Sequence, residues 1–312
     1  MSIIPYLQDL ISDQRIPTQG LNEMRRDRDK IEKVLYSLED LPRPTFLYGG
    51  SFGKDMIIAD AYDLDLVDYY PNDIQWSVRD LYFKILAQLQ RNFQDDYNVH
   101  PKNVAIRIEK REEYHIDVVP GKRLPENEED AWLYKNKTGQ RFKTSVKKHI
   151  RVIKDFGRRD VLKILKLWKL RNLLEIPSFL LELIGIRALE AERERIPLDQ
   201  AVMVAWQFIA DNLLQITIKD PANSDNILTD EDVITESQKR HIIRVSKWTM
   251  QLANHGTKND WEQIFQKKPE GFHFNLEATS SSTTSSTSQK QGQTKASKSP
   301  RLSPDSPNRR FA

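Results

Sequence analysis

The chain has 312 residues, a net charge of +3 and no cysteine, so disulfides and cysteine-ligated zinc are excluded, and its six histidines are scattered without metal-ligand spacing. That length exceeds a single typical domain and can bury a proper core. The tail from Ala278 carries six Lys/Arg against one Asp, which leaves the remainder mildly acidic and gives no support to non-specific nucleic-acid binding.

In chain order, Met1–Leu10 is interrupted by Pro5, Gln8 and Asp9. It offers no apolar run of signal-peptide or membrane-spanning length, which predicts a cytoplasmic protein with no membrane partner. Leu21–Leu38 places Leu21, Met24, Ile31, Val34, Leu35 and Leu38 at helical spacing, and Pro42 and Pro44 close that helix. Thr45–Tyr48 is the first predicted strand, and it runs into Tyr48-Gly-Gly-Ser-Phe-Gly-Lys54. Gly49, Gly50 and Gly53 would let backbone N–H groups approach a polyanion closely, Ser51 adds a hydroxyl donor, and a helix starting near Ser51 would aim its positive end at the same charge.

Asp63-Leu64-Asp65 follows, with Asp63 twelve residues after Ser51. The strand period of two puts both carboxylates on one face, within a run (Leu64, Leu66, Val67) apolar enough to be buried. Two buried carboxylates on one face repel each other and are costly to desolvate, so they call for a hard cation such as Mg²⁺, which brings its own phosphate ligands. Val78–Phe93 reads as a second amphipathic helix packing on the sheet. Val104–Ile108 and Tyr114–Pro120 read as a hairpin around the charged turn Glu109–Glu113, and its second strand carries one acid, Asp117, among β-branched residues. Asp117 beside Asp63 and Asp65 would complete a three-carboxylate, two-metal site.

From Ser145 to Met250 the pattern is mainly helical, with breaks at Pro177, Pro197 and Pro221. Lys147, Arg151, Lys154 and Arg158 recur at helical spacing; the cationic face is either a solvated surface, a triphosphate clamp or a docking face for a polyanion. Trp168 and Trp248 lie on apolar stripes and are expected in the core, and Lys163 and Lys169 are expected to be surface charges. Thr279–Ser288 is ten consecutive Ser/Thr, so the tail is expected to be disordered. The expected organisation is α/β: an N-terminal helix and catalytic lobe over 1–155, a helical lobe over 156–276 and the tail over 277–312, with the site in the cleft between the lobes.

Across 45–255 these segments, in this order, resemble the CD-NTases and their relatives, the nucleotidyltransferases that include oligoadenylate synthetases, cyclic GMP-AMP synthase and the bacterial cyclic-oligonucleotide synthases of antiphage defence. Lys163-Ile-Leu165-Lys166-Leu-Trp168 resembles the helix that carries a lysine to the nucleotide. Ile176–Leu183 resembles the segment whose polar residue and aromatic, here Ser178 and Phe179, sit near a bound base. Ile218–Asn226 resembles the Asp-Pro…Asn loop, and Trp248 the close of a final helix.

The resemblance implies a polymerase-beta-like mixed sheet followed by a helical lobe, with the helix over Leu21–Leu38 bracing both lobes, and NTP substrates, ATP among them. It places Gly50, Ser51, Lys54, Lys166, Ser178 and Phe179 on the nucleotide, and makes Asp63, Asp65 and Asp117 the catalytic residues that hold two Mg²⁺ ions, with Mn²⁺ as a substitute. It implies a cyclic di- or oligonucleotide product. For some relatives it also implies a ubiquitin-transfer-like enzyme that acts on a flexible C-terminus, here Arg309–Ala312. Two positions depart from the pattern: Asp55-Met56 stands where Gly-Thr is usual, so the acid has to turn outward or cap the helix, and Phe179 lacks the hydroxyl of the tyrosine found in oligoadenylate synthetases. Competing readings are a linear oligoadenylate synthetase or RNA-end nucleotide-adding enzyme, a toxin that nucleotidylates protein or tRNA, and a non-catalytic nucleotide or nucleic-acid sensor, whose mark would be a lost acid.

Overall fold

Strand β1 (Thr45–Tyr48) runs antiparallel to β2 (Asp63–Tyr70), and β2 pairs in parallel with β5 (Tyr114–Arg123). A parallel pair needs a crossover, and α4 (Val78–Phe93) supplies most of it. Its start is fixed by Ser77, whose hydroxyl accepts from the Asp80 amide, and Leu81, Tyr82, Ile85 and Leu89 are buried on the sheet side. β3 (Asn98–Pro101) and β4 (Ile106–Lys110) continue the sheet beyond β5, giving the order β1-β2-β5-β4-β3. β6 (Ala131–Lys135) pairs with β5, and β7 (Gln140–Thr144) with β6, completing a seven-stranded mixed sheet. The brace helix α2 (Thr18–Tyr36) adds Met24, Ile31 and Leu35 to the same cluster. It ends at Ser37, before the prolines that were expected to close it.

The coordinates are a computed structural model that describes residues 2–110, 114–192 and 196–267. The expected disordered tail and its Arg309–Ala312 handle lie outside the described residues. The helical part gathers around Trp168, Trp206 and Trp261, all fully buried. Its members are α1 (Ile4–Ser12), α5 (Val146–Asp155), α6 (Arg159–Arg171), α7 (Ser178–Leu189), α8 (Leu198–Asn212), α9 (Glu236–His255) and α10 (Lys258–Phe265). Pro177 and Pro197 stand at the caps of α7 and α8, and Pro221 at the turn between β8 (Lys219–Asp220) and β9 (Asn223–Ile227), so all three mark real breaks. Among the described residues, no helix is long and apolar enough to cross a membrane.

Two expectations change. α5 stops at Asp155 and Gly157 takes a left-handed φ of 71°, so Arg158 leaves the cationic stripe and donates instead to the Ile196 carbonyl at 2.9 Å. Glu129 lies 3.5 Å from Lys147 and 3.4 Å from Arg151, which partly neutralises the rest of that stripe. Trp248 does not close a final helix: α9 runs on to His255, where Gly256 ends it, and α10 follows.

Candidate active site

The acids are brought together by strand register. On the parallel β2–β5 pair Asp63 stands opposite His115 and Asp65 opposite Asp117, and on the antiparallel β4–β5 pair Arg107 stands opposite Asp117. Leu64 is buried on the other face of β2. The expected alternation therefore holds, and the lone acid of the hairpin lies where it was placed, beside the other two.

The glycine loop is built against this face. Gly49 N–H donates to the Asp65 carbonyl at 2.8 Å, and Gly50–Gly53 then make a single helical turn, α3, closed by Gly53 N–H on the Gly49 carbonyl. A Cβ at Gly50, which has φ +50°, would fall 1.5 Å from Asp65 Oδ2, and one at Gly53 would fall 2.1 Å from the Tyr48 carbonyl oxygen. These two glycines thus answer first to the strand beside them. Ser51 is buried and its hydroxyl donates to Asp63 Oδ1 at 3.3 Å.

Burial pushes the Asp65 carboxyl up to about 7, reinforced by the negative charges of Asp63 and Asp117. Burial also works against the ionised Asp63, but the interaction with His115 and the positive charge of Lys166 outweigh it and hold Asp63 below its ordinary range. His115 Nε2 lies 3.5 Å from Asp63 Oδ2 and 3.7 Å from Asp117 Oδ2. Asp117 accepts both arms of the Arg107 guanidinium, from Nε at 2.9 Å and Nη2 at 2.8 Å.

Among the described residues, no group of three or more His, Cys, Asp or Glu side chains is arranged to hold a metal ion as it stands, and Asp117 is engaged by Arg107. The donor set still suits a hard divalent cation. Asp63 and Asp65 offer oxygen on one strand face, and the proton affinity of Asp65 is raised by burial first and by the neighbouring carboxylates second, both of which a bound cation would offset.

Asp63 and Asp65 line a pocket of about 550 Å³ whose lining also includes Gly50, Ser51, Lys54, Lys166, Lys169, Ser178, Phe179 and Glu182. Lys166 is buried and donates to the Met56 carbonyl at 3.2 Å; burial lowers its proton affinity. Lys169 is lowered for the same reason and donates to Ser178 Oγ at 2.8 Å. Lys54 forms a buried ion pair with Glu182 and lies 4.9 Å from the centre of the Phe179 ring. Phe179 also meets His149, ring centres 4.5 Å apart, and His149 Nε2 lies 2.6 Å from Asp220 Oδ1. Asp220 also accepts from the Ala222 amide at 2.8 Å and from Asn226 at 3.1 Å, so the Asp-Pro…Asn loop buttresses the aromatic wall.

No family model and no curated protein matches the chain. Solved structures do. The CdnC of E. coli MS115-1 in its complex with HORMA-deltaN matches with a TM-score of 0.67 at 18% identity, covering 84% of this chain and 96% of that one. The CD-NTase CdnG of Bradyrhizobium diazoefficiens in complex with GTP matches at 0.66 and 14% identity, covering 83% and 94%. The Vibrio cholerae DncV cyclic AMP-GMP synthase matches at 0.61 and 15%, covering 84% and 80%. The fold is that of the CD-NTases.

Within this CD-NTase fold every nucleotide-contact candidate named from the sequence (Gly50, Ser51, Lys54, Lys166, Ser178, Phe179) lines the same pocket as Asp63 and Asp65. The unusual Asp55 turns outward: it has φ 57°, an exposed side chain and an ion pair with Arg159 on α6. Trp168 is core, and Trp248 packs half-buried on the helical cluster. Lys169 is not the surface charge it was expected to be. Arg107, His115, Lys169 and Glu182 are site residues that the sequence reading missed. Two of them carried a periodic signal, since His115 is two residues before Asp117 on a strand and Glu182 is four after Ser178 on a helix.

Proposed function

We propose that the protein is a template-independent nucleotidyltransferase that joins NTPs, ATP among them, into a cyclic di- or oligonucleotide signal serving antiphage defence. The observation that carries this reading is the β2–β5 register, which aligns Asp63, Asp65 and Asp117 beside a pocket walled by Lys166, Lys169 and Phe179. Relatives of the same fold were solved with ATP or with GTP, and one is described as a cyclic AMP-GMP synthase.

Asp63 and Asp65 would hold Mg²⁺, or Mn²⁺ in its place, with Asp117 joining them. Bound there, the ions would neutralise triphosphate charge and make the acceptor ribose hydroxyl more acidic. The hydroxyl oxygen would bond to the donor α-phosphorus, the bond to pyrophosphate would break, and the hydroxyl proton would pass to a neighbouring base, for which a carboxylate of the triad is the candidate. Ser51 and the ammonium groups of Lys166 and Lys169 counter charge growing on the leaving pyrophosphate. Phe179, which lines the pocket beside Lys54 and His149, offers the donor base an aromatic contact.

The test is incubation of the purified chain with each labelled NTP, alone and in pairs, with Mg²⁺ or Mn²⁺, followed by phosphatase and mass spectrometry. A phosphatase-resistant product with the mass of the NTPs less pyrophosphate, absent from the Asp63→Asn, Asp65→Asn double variant, supports the reading. A linear product, or label carried only on RNA or protein, replaces it with one of the other nucleotidyl-transfer readings. Conjugation of the tail by a ubiquitin-transfer-like partner belongs to the same proposal and is tested by the intact mass of the chain recovered from cells.

A further inference from the structure

Asp117 is the one acid of the three gripped by a guanidinium. Arg107 sits directly opposite it across the β4–β5 ladder and meets both carboxylate oxygens, at 2.9 and 2.8 Å. Such a fork is among the strongest side-chain pairings, and its cation cannot be removed by deprotonation. Asp117 is also largely buried, so solvent screens the pair weakly. A divalent cation approaching the same oxygens meets a fixed positive charge already in place. Glu109 lies two residues along β4, on the same face as Arg107, adds to the negative field on the guanidinium and lines the pocket. It is a second carboxylate within the electrostatic reach of the guanidinium.

We propose that Arg107 is a tethered counter-ion for Asp117 that competes with the metal ion Asp117 shares, so that release of Arg107 sets the concentration at which that ion binds. This rests on the metal-dependent reading above. The alternative role, in which Arg107 orients Asp117 for the metal, predicts the opposite sign for its removal.

The experiment is a Mn²⁺ titration of the full chain followed by electron paramagnetic resonance, with thermal melts to establish that each variant is folded. The variants are Arg107→Gln, Arg107→Lys, Asp117→Asn, the Asp117→Asn, Arg107→Gln pair and the Asp63→Asn, Asp65→Asn pair. Arg107→Gln is expected to tighten the weaker Mn²⁺ site by about tenfold or more, a typical size for a residue one contact removed from a metal. Arg107→Lys, which keeps the charge and loses the fork, falls between. The gain disappears when Asp117 is already Asn. Unchanged or weaker Mn²⁺ binding in folded Arg107→Gln overturns the proposal, as does absence of Mn²⁺ binding in both wild type and variant. If the Asp63, Asp65 double variant binds Mn²⁺ as wild type does, the metal site itself is misassigned and the functional reading falls with it. If that control loses binding while Arg107→Gln gains none, only the role of Arg107 is wrong.

Discussion

Asp65 holds its proton to about pH 7 in the folded chain, against an ordinary aspartate value near 3.9. Between those values the native state binds a proton that the unfolded chain has lost, so this group's contribution to stability falls as pH rises through that window. Asp63 shifts the other way, but its window lies below the ordinary aspartate range and does not cancel the effect near neutrality. Asp65→Asn is therefore expected to raise the melting temperature of the metal-free protein, and by more at about pH 8 than at about pH 5. An equal shift at both pH values would show that Asp65 is not the titrating group. Added Mg²⁺ should raise the wild-type melting temperature and leave the Asp63→Asn, Asp65→Asn protein unmoved. Gly50 is the second sensitive residue. Gly50→Ala forces a methyl onto the Asp65 carboxylate, and the loop has to move to admit it. Loss of product formation together with a drop in stability is expected. Gly139→Ala is the control: it also sits at positive φ, but a Cβ there meets nothing within 4 Å, so its cost stays at about 1–2 kcal/mol in a urea melt.

The elements that form the pocket are joined by charge pairs spanning long sequence separations. Lys54, at the end of α3, and Glu182, on α7, are both nearly inaccessible to solvent. Glu182→Ala leaves an ammonium buried without its partner, at a cost of about 3–5 kcal/mol. Replacing both, as Lys54→Met with Glu182→Leu, should recover most of that loss but removes the cation beside Phe179, so stability returns while nucleotide binding weakens. Denaturant melts and nucleotide titrations on the single and double variants separate the two effects; equal stability of single and double variants would mean that the pair is not buried in solution. This coupling explains what was legible in the sequence. Asp63-Leu64-Asp65, the strand bearing Asp117 and the helix Val78–Phe93 follow from periods of two and 3.6 within a few residues, and they stand where periodicity puts them. The extent of the cationic stripe failed at Gly157, because spacing alone cannot see a left-handed turn that ends a helix. Glu182 on Lys54 and Lys169 on Ser178 depend on which element lies alongside, which nothing local records, whereas Arg107 on Asp117 needed only the register of a hairpin whose strands were legible.

At the scale of the whole described body, the pocket is where two hydrophobic clusters interlock. Leu66, Tyr82 and Ile85 belong to the cluster under the sheet, whereas Met56 and Ile58, immediately beyond the glycine loop, belong to the helical one with Trp168 and Trp206. α1 crosses the same way, placing Leu7 and Leu10 among the helices although it precedes the brace helix. Arg171 reinforces the junction by donating to Asp60 at 2.9 Å and to the Phe265 carbonyl at 2.8 Å, tying the pocket rim to the last described helix. Because the segment that follows the glycine loop is anchored in the helical core, sheet and helices are expected to unfold together in one calorimetric transition. Trp261→Ala tests this from a site that does not line the pocket. Its indole is buried against Trp206 and Phe265, and its removal should cost about 3–5 kcal/mol. A joined molecule moves the whole transition down and keeps it single, with nucleotide affinity per folded molecule unchanged. Two resolved transitions, with only the helical one displaced, would mean that the sheet holds its acids in place without the helical core, and that the anchoring of Met56 and Ile58 contributes little to the site.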